Sequence, residues 1–389
     1  MANANLGKAK KEKNDEFYTQ YNDIQREMNA YVEYNPDVFR DKTILLPCDD
    51  PEWSNFTKFF ALNFENYGIK KLISTSYAPE SKKIKAWQPT LFETENPRFD
   101  VDKSKTHGKI FVLDRDVDGN GKINIDDLQW EYLEGDGDFR SNEVCVLRDE
   151  ADIIITNPPF SLFREFMAWI LEAKKKFVII GNQNAITYKE IFPLIKENAL
   201  WLGPSISSGD REFMVPKEYP LEAAGTRVDE EGNHYIRVKG VRWFTNLDHG
   251  KRHHPLDLMT MEDNIMFSRH KEVKGIGYYH YDNYDAIEVP FSDAIPIDYE
   301  EIMGVPITFL DKYCPEQFEI VGISKTWFGM ANKRYPKQIQ VGKNGKEKLV
   351  TKLNDGAVIK LQSIPDDTYY KVNNEIFIQL YARILIRKK

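Results

Sequence analysis

The sequence predicts an α/β fold on a doubly wound sheet, and three observations carry that expectation. An apolar strand at 42–49 (KTILLPCD) is followed by a helical stretch and a second apolar strand at 70–77 (KKLISTSY), the opening of such a sheet. The pattern resumes at 152–183 with strand, helix and strand again. The chemically marked residues at 48–52, 136–139 and 157–160 fall where strands end, and in open α/β sheets the ligand crevice lies outside the carboxyl ends of the strands.

The elements follow in order. Residues 42–49 are apolar with charges on each side, as suits a strand buried on both faces. After a turn-like DDPEWSN, the segment FTKFFALNFENYG places Phe56, Phe59, Phe60, Leu62 and Phe64 at helical spacing, with Gly68 as the stop. A less regular stretch, 79–137, interrupts the pattern. DIIITNPPF (152–160) then reads as a strand running into a Pro-Pro stop, 161–175 as an amphipathic helix, and KKFVIIGNQ (175–183) as a further strand. Between 200 and 250, WLGPSISSGDREFMVP and IRVKGVRWFTNLD are β-rich, with Gly232-Asn233 offering a hairpin turn between them; they read as the antiparallel edge of the same sheet. Beyond 251 come Tyr-rich loops and strands such as EQFEIVGI and YARILIRKK.

Length and composition bound the answer. At 389 residues the chain exceeds the ~250–300 residues at which single cores stop growing, so two domains are expected. Apolar residues at 41% and charged residues at 29% are ordinary for a globular protein. No apolar run reaches the roughly 20 residues of a membrane span, and the N-terminus has no signal-peptide core, so the expected location is the cytoplasm, with no membrane partner. Cys48, Cys145 and Cys314 lie far apart in no metal-ligand spacing and read as reduced core thiols. A net charge of −8 lends no support to nucleic-acid binding, which usually leaves a basic footprint. The local exception is 333–352, where seven Lys or Arg residues meet one Glu around an Asn344-Gly345 turn. It reads either as a solvated hairpin or as a ribbon that contacts phosphates.

Asn157-Pro158-Pro159-Phe160 carries the clearest chemistry. The amino nitrogen of adenine is a poor nucleophile because its lone pair is delocalised into the ring. An Asn157 side-chain carbonyl and the Pro158 main-chain carbonyl can each accept one of its N–H bonds and draw the nitrogen toward a tetrahedral, nucleophilic state. The prolines hold the backbone so that this carbonyl faces the crevice and not a sheet ladder. Phe160 can stack on a base taken out of its helix. The plain alternative is a strand ending in a Pro-Pro turn. Similar tetrapeptides serve methylation of glutamine or RNA, so the motif names the reaction better than the substrate.

A second pattern stands apart. From Asp116 to Asp127, oxygen-bearing side chains fall at Asp116, Asp118, Asn120, Asn124 and Asp127, with Gly121 at the turn and Ile123 beyond it. This is close to an EF-hand or dockerin-like calcium loop, with Asp where an EF-hand has its bidentate Glu. The competing readings are a structural Ca²⁺ site and a Gly/Asn-rich insert. The seven histidines show no ligand spacing, and the aromatics of YYHYDNY (278–284) suit base stacking or simple packing.

Eight separated segments, KNDEFYTQY (13–21), LPCDDPEWSNF (46–56), GDGDFRS (135–141), ITNPPFSLFREF (155–166), ITYKEIF (186–192), WFTNLD (243–248), DNYDAI (282–287) and GVPITFL (304–310), together resemble the EcoRI-type adenine-specific DNA modification methyltransferases. The resemblance runs from about 13 to 325, with the closing ARILI echoing it. It implies a Rossmann-like class I S-adenosylmethionine-dependent methyltransferase sheet followed by a C-terminal mixed α/β target-recognition region. By this resemblance Glu16, Phe17, Tyr18 and Thr19 form the N-terminal cofactor motif, folded over the methionine end of S-adenosylmethionine; helix capping is the alternative. Pro47, Cys48, Asp49 and Asp50 occupy the first-strand loop. There related enzymes usually have a Gly-rich turn, and this chain has no glycine, which leaves Asp49 or Asp50 to reach the cofactor's polar groups. The acidic residue expected to hold the ribose hydroxyls after the second strand is absent from LISTSY. Asp138 and Phe139 match the position that reads the cofactor's adenine, with a Gly-Asp turn as the alternative. Asn157 borders both cofactor and target base. The reaction is a direct in-line transfer resting on positioning and desolvation, and it calls for no catalytic metal.

The expected organisation is a catalytic domain over 1–250 with an insert at about 79–137, then a target-recognition region over 251–389. The expected activity is site-specific N6-adenine methylation of duplex DNA, in a restriction–modification pair or alone. The alternatives are methylation of RNA or of a protein glutamine, and a DNA-binding protein with a degenerate cofactor pocket.

Overall fold

Residues 17–51, 54–78, 94, 96–207, 210–215 and 225–389 are described by the structure, a computed structural model. The chain packs as two compact units. The first takes in the chain to Gln183 together with Leu202–His249, and the second is Asn184–Trp201 with Gly250–Lys389.

In the first unit, α1 (Tyr21–Tyr34) buries Ile24, Glu27, Met28 and Tyr31, the three- and four-residue spacing of one helical face. Next come β1 (Thr43–Leu46), α2 (Asn55–Leu62), β2 (Lys71–Ser76), β3 (Lys109–Leu113), β4 (Gln129–Tyr132), α3 (Asn142–Glu150), β5 (Ile153–Thr156), α4 (Phe163–Glu172) and β6 (Lys176–Asn182). After these follow β7 (Trp201–Leu202), β8 (Arg211–Val215), β9 (Thr226–Val228), β10 (His234–Val238) and β11 (Val241–Thr245). Eight of the strands form one mixed sheet in the order β4-β3-β2-β1-β5-β6-β11-β7. The central β2, β1, β5 and β6 are mutually parallel. Every residue of β1 (TILL) and β5 (IIIT) is buried, as the unbroken apolar runs predict for strands covered on both faces. Aromatic packing dominates the core, where Phe56, Phe59, Phe60, Phe111 and Trp243 are almost wholly excluded from solvent.

Two expectations need correction. The stretch at 79–137 is not an interruption throughout: β3 pairs antiparallel with β2, and β4 antiparallel with β3. In β3 (KIFVL) residues alternate between fully and partly buried, the period-2 signal of a strand with one face toward the core. The β-rich region at 200–250 is also not a single sheet edge. Of its strands, β11 joins the main sheet beside β6, antiparallel to it, with the two-residue β7 at its outer side. Strands β8, β10 and β9 form a separate three-stranded antiparallel sheet, closed by the Gly232 turn (φ 78°) between β9 and β10.

The second unit is mainly β. Strands β12 (Ile287–Glu288), β13 (Met303–Pro306) and β14 (Phe318–Ile323) join the C-terminal β20 (Arg383–Lys388) in a four-stranded sheet. Strands β15 (Gln338–Val341), β16 (Glu347–Val350), β17 (Val358–Leu361), β18 (Tyr369–Val372) and β19 (Glu375–Gln379) form a five-stranded sheet in the order β16-β15-β18-β19-β17. Tyr281 and Tyr284 of the Tyr-rich segment are buried. No helix among the described residues is long and apolar enough to cross a membrane.

Candidate active site

The site is assembled where β1 and β5 end side by side. Thr156, the last residue of β5, donates its hydroxyl to the Pro47 carbonyl at 2.6 Å and so locks the two strand ends together. Asn157 follows at once. Its amide nitrogen donates to the Phe17 carbonyl at 2.6 Å and to the Thr19 hydroxyl at 3.3 Å. With both donated bonds directed at the N-terminal segment, Oδ1 is the side-chain atom left to accept from a ligand. The segment itself is pinned. Tyr18 makes reciprocal backbone bonds with Met214 of β8, and the Thr19 carbonyl accepts from the Asn55 amide at 2.8 Å. Phe160 meets the Phe17 ring edge-on, with centroids 5.7 Å apart. Pro158 is buried, and Pro159 and Phe160 are half-buried.

One cleft is lined by Phe17, Tyr18, Thr19, Cys48, Asp49, Asp50, Ser54, Phe56, Thr156, Asn157 and Pro159. The structure thus brings together the N-terminal motif, the first-strand loop and the Asn-Pro-Pro corner. Glu16 lies outside the described residues. Sequence reasoning missed Ser54, Phe56 and Thr156. Of these, Ser54 had a readable signal as the N-cap of α2, where its hydroxyl accepts from Phe56 N.

The first-strand loop does without glycine in an unusual way. Cys48 takes a left-handed backbone, φ 61°, the conformation glycine usually supplies. Cys48 and Cys145 are only half-buried, so Cys314 alone among the three is a core thiol. Asp49 is 2% exposed and turns inward. It accepts from the Ser54 hydroxyl, the Thr57 amide (3.1 Å) and the Thr57 hydroxyl (2.6 Å) at the start of α2. Burial pushes its carboxyl up to about 6, against the hydrogen bonds from Ser54 and Thr57 that lower it.

A raised carboxyl has a defined sign. Folding favours the protonated form, so this contribution is complete below the unfolded value of about 3.8 and is lost as pH climbs through about 6. A shift of about two units corresponds to about 3 kcal/mol. In Asp49→Asn the amide Oδ1 accepts from Thr57 and the NH₂ donates to Ser54, with no proton to titrate. Urea unfolding at pH 4, 5, 6 and 7 is expected to show the variant gaining on the wild-type protein as pH rises. A stability difference that stays constant over this range would remove the assignment.

Asp138 and Phe139 reach the same edge of the sheet by another route. Because β3 and β4 each reverse direction, β4 runs as β1 does, and the loop after it emerges at the edge where β1 and β5 end. Gly137 (φ 81°) is required there, since a Cβ would lie 2.2 Å from the Ser76 carbonyl oxygen. Asp138 and Phe139 do not line the cleft described above. The Asp138 carboxylate is held in a fork by Arg140, at 2.9 and 2.6 Å. The Phe139 ring packs on Phe166 and Trp169.

The calcium-like loop converges in part. Carboxylate oxygens of Asp116, Asp118 and Asp127 lie within 4.8 Å of one another. Asp127 is buried, and backbone amides of Val117 and Asn124 bond to it and hold its carboxyl below the ordinary range. Asn120 and Asn124 turn their amide oxygens to the backbone instead, accepting from Lys122 N and Asp126 N.

An Asn-Pro-Pro-Phe corner ending a buried strand beside a cleft marks the class of amino-group methyltransferases. The family model described as Adenine-specific methyltransferase EcoRI matches residues 5–389, and the chain belongs to that family. It is 43% identical to the Type II methyltransferase M.EcoRI of Escherichia coli over 320 residues, covering 82% of this chain and 89% of that protein. It is 35% identical to the Type II methyltransferase M.MpnI of Mycoplasma pneumoniae over 318 residues, covering 81% and 84%. No solved structure matches the chain.

Proposed function

We propose that this DNA adenine methyltransferase moves the methyl group of S-adenosylmethionine to the exocyclic N6 of an adenine turned out of duplex DNA, as the modification half of a restriction–modification system. The observation that carries the mechanism is the tethered amide of Asn157, whose donated bonds to Phe17 and Thr19 leave its carbonyl oxygen for the adenine amino group. The Pro158 carbonyl is the second acceptor and Phe160 the stacking surface.

The cleft fits the cofactor's chemistry. Phe17, Phe56 and Pro159 offer apolar walls for an adenosyl and thioether body, and Thr19 and Asp50 offer polar contacts. Bound there, the cofactor supplies an electrophilic methyl. The chain's own residues orient the amino group, exclude water and accept its hydrogen bonds. Asp49 supports the loop from behind, while Pro47, Cys48 and Asp50 face the cofactor with Glu16, Phe17, Tyr18 and Thr19. Asp138 and Phe139 read the cofactor's adenine, the Asp138 carboxylate being fixed in place by the backbone amide and guanidinium of Arg140.

In this reading the sheet is the Rossmann-like class I arrangement, supported by four parallel central strands with antiparallel β11 beside them. Residues 1–250 are catalytic, with 79–137 as their insert, and 251–389 recognise the target. Incubation with methyl-labelled cofactor and duplex DNA, RNA or protein tests the activity. Label in N6-methyladenine of DNA is expected, and label in RNA or protein alone would overturn the reading.

The convergence of Asp116, Asp118 and Asp127 supports a structural calcium site, which Asn120 and Asn124 would complete only by turning their amide oxygens away from Lys122 N and Asp126 N. With aspartate at the last position, a Kd of roughly 10⁻⁴–10⁻³ M is expected, together with a rise in melting temperature at saturating Ca²⁺. Absence of binding heat and of any such rise at about 10 mM Ca²⁺ would remove the site.

A further inference from the structure

We propose that the β15–β16 hairpin is a backbone clamp for duplex DNA, holding phosphates by point charge without reading bases. This rests on the DNA-methylation reading. The argument begins with charge accounting. Of the seven cations between 333 and 352, Lys333 is spent on Asp282 at 2.5 Å and Lys343 on Asp367 at 3.3 Å. The single acid of the segment, Glu347, is neutralised by Lys371 at 2.9 Å. Arg334, Lys337, Lys346, Lys348 and Lys352 are all exposed and make no ion pair among the described residues. The chain is acidic overall, at −8, so a concentration of uncompensated positive charge needs a reason beyond solubility.

Placement gives the reason. Among the described residues β16 is the edge strand of its sheet, paired with β15 alone. Residues 343 to 349 are all exposed. The ribbon turns at Gly345 (φ 74°), and the Gly342 amide bonds to the Lys346 carbonyl at 3.0 Å, so pairing extends to Lys346. Lys346 and Lys348, two residues apart, therefore share one face, separated by about 6.8 Å along the strand. That spacing suits neighbouring phosphates of one strand, which rise about 3.4 Å of axis each and are also set apart around the helix. Lys337 and Lys352 flank the opposite, open end of the ribbon, where Gln338 pairs with Val350. Lysine ammoniums form no bidentate fork, which suits phosphate contact and not base selection.

The test compares the full-length wild-type protein with Lys346→Ala/Lys348→Ala, using a duplex that the wild-type protein methylates. Both side chains are exposed and unpaired, so the melting temperature is expected to stay unchanged. Lys346→Arg/Lys348→Arg, which keeps the charge, should bind as the wild type does. For the alanine pair, the Kd for duplex should rise on the order of tenfold at moderate salt, and the slope of log K against log [salt] should flatten by about 2. The kcat at saturating DNA and the Kd for S-adenosylmethionine should not change. Lys343→Ala, already paired with Asp367, should change the slope least. An unaltered Kd and salt slope in a variant that still methylates DNA would overturn the clamp and leave the methylation reading standing. Failure of the wild-type protein to methylate any DNA would instead strike at the methylation reading itself.

Discussion

Asn157→Ala should lower kcat for methyl transfer by about 10²–10³, the cost of deleting one preorganised hydrogen-bonding group at a reacting centre. The Kd for S-adenosylmethionine should change only a few-fold, because the substitution removes an acceptor for the adenine amino group and leaves the cleft walls in place. The alanine also releases the Phe17 carbonyl and the Thr19 hydroxyl, and a second variant separates the two effects. Thr19→Val loses the 3.3 Å bond together with the hydroxyl's contact to the cofactor, and keeps the catalytic carbonyl. At saturating S-adenosylmethionine, Thr19→Val should reproduce a large share of the loss in kcat if loosening of the N-terminal segment is the cause; if the acceptor matters, its cost should fall on cofactor affinity and little on kcat. Single-turnover transfer to an adenine-containing duplex, with cofactor affinity measured by calorimetry, reads both. Near wild-type turnover in Asn157→Ala would end the proposed mechanism.

The largest expected effect on stability lies in the second unit. Glu288 is almost buried, with its side chain 7% exposed, and it receives Arg383 Nη2 at 2.7 Å and Nε at 3.0 Å, together with the Tyr281 hydroxyl. Burial, and then the charge of Glu288, pushes the Tyr281 phenol far above its ordinary value, so it remains a donor. Glu288→Ala strands a cation and a hydroxyl out of water, which should cost about 3–5 kcal/mol. For a unit of this size, each kcal/mol moves the melting temperature by about 2–4 °C, so a fall of roughly 10 °C is expected in a thermal melt. A change under about 2 °C would show that water compensates the pair.

The central sheet was legible because its strands are short runs of one kind of residue. TILL and IIIT can be little else than buried strands once helices and turns bracket them. β3 and β4 escaped because alternation in KIFVL spans only five residues and QWEY only four, and charged turns around them pointed to a loop. The split of β8, β9 and β10 from β11 was invisible for a different reason: every strand there carries the same antiparallel signature, and only tertiary pairing decides which sheet it joins. The Asn-Pro-Pro-Phe corner could be read from residue chemistry, and the N-terminal segment only through family resemblance. No local pattern says that the Asn157 amide reaches back 140 residues to the Phe17 carbonyl. The inward turn of Asp49 was equally hidden, since an acid in a loop reads as a ligand until Ser54 and Thr57 are seen to claim it.

The doubled reversal of β3 and β4 has a consequence for engineering. An even number of added strands returns the chain to its original heading, so the segment carrying Asp138 is delivered to the same rim whatever happens at the far tip of the excursion. That tip, around Gly119–Gly121, points into open space: a methyl group added at either glycine would touch nothing within 4 Å. A small label at the exposed Lys122 would be carried at the end of the sheet away from catalysis, whereas an inserted domain would break the Gly119 and Gly121 amide bonds to Asp116 that shape the loop.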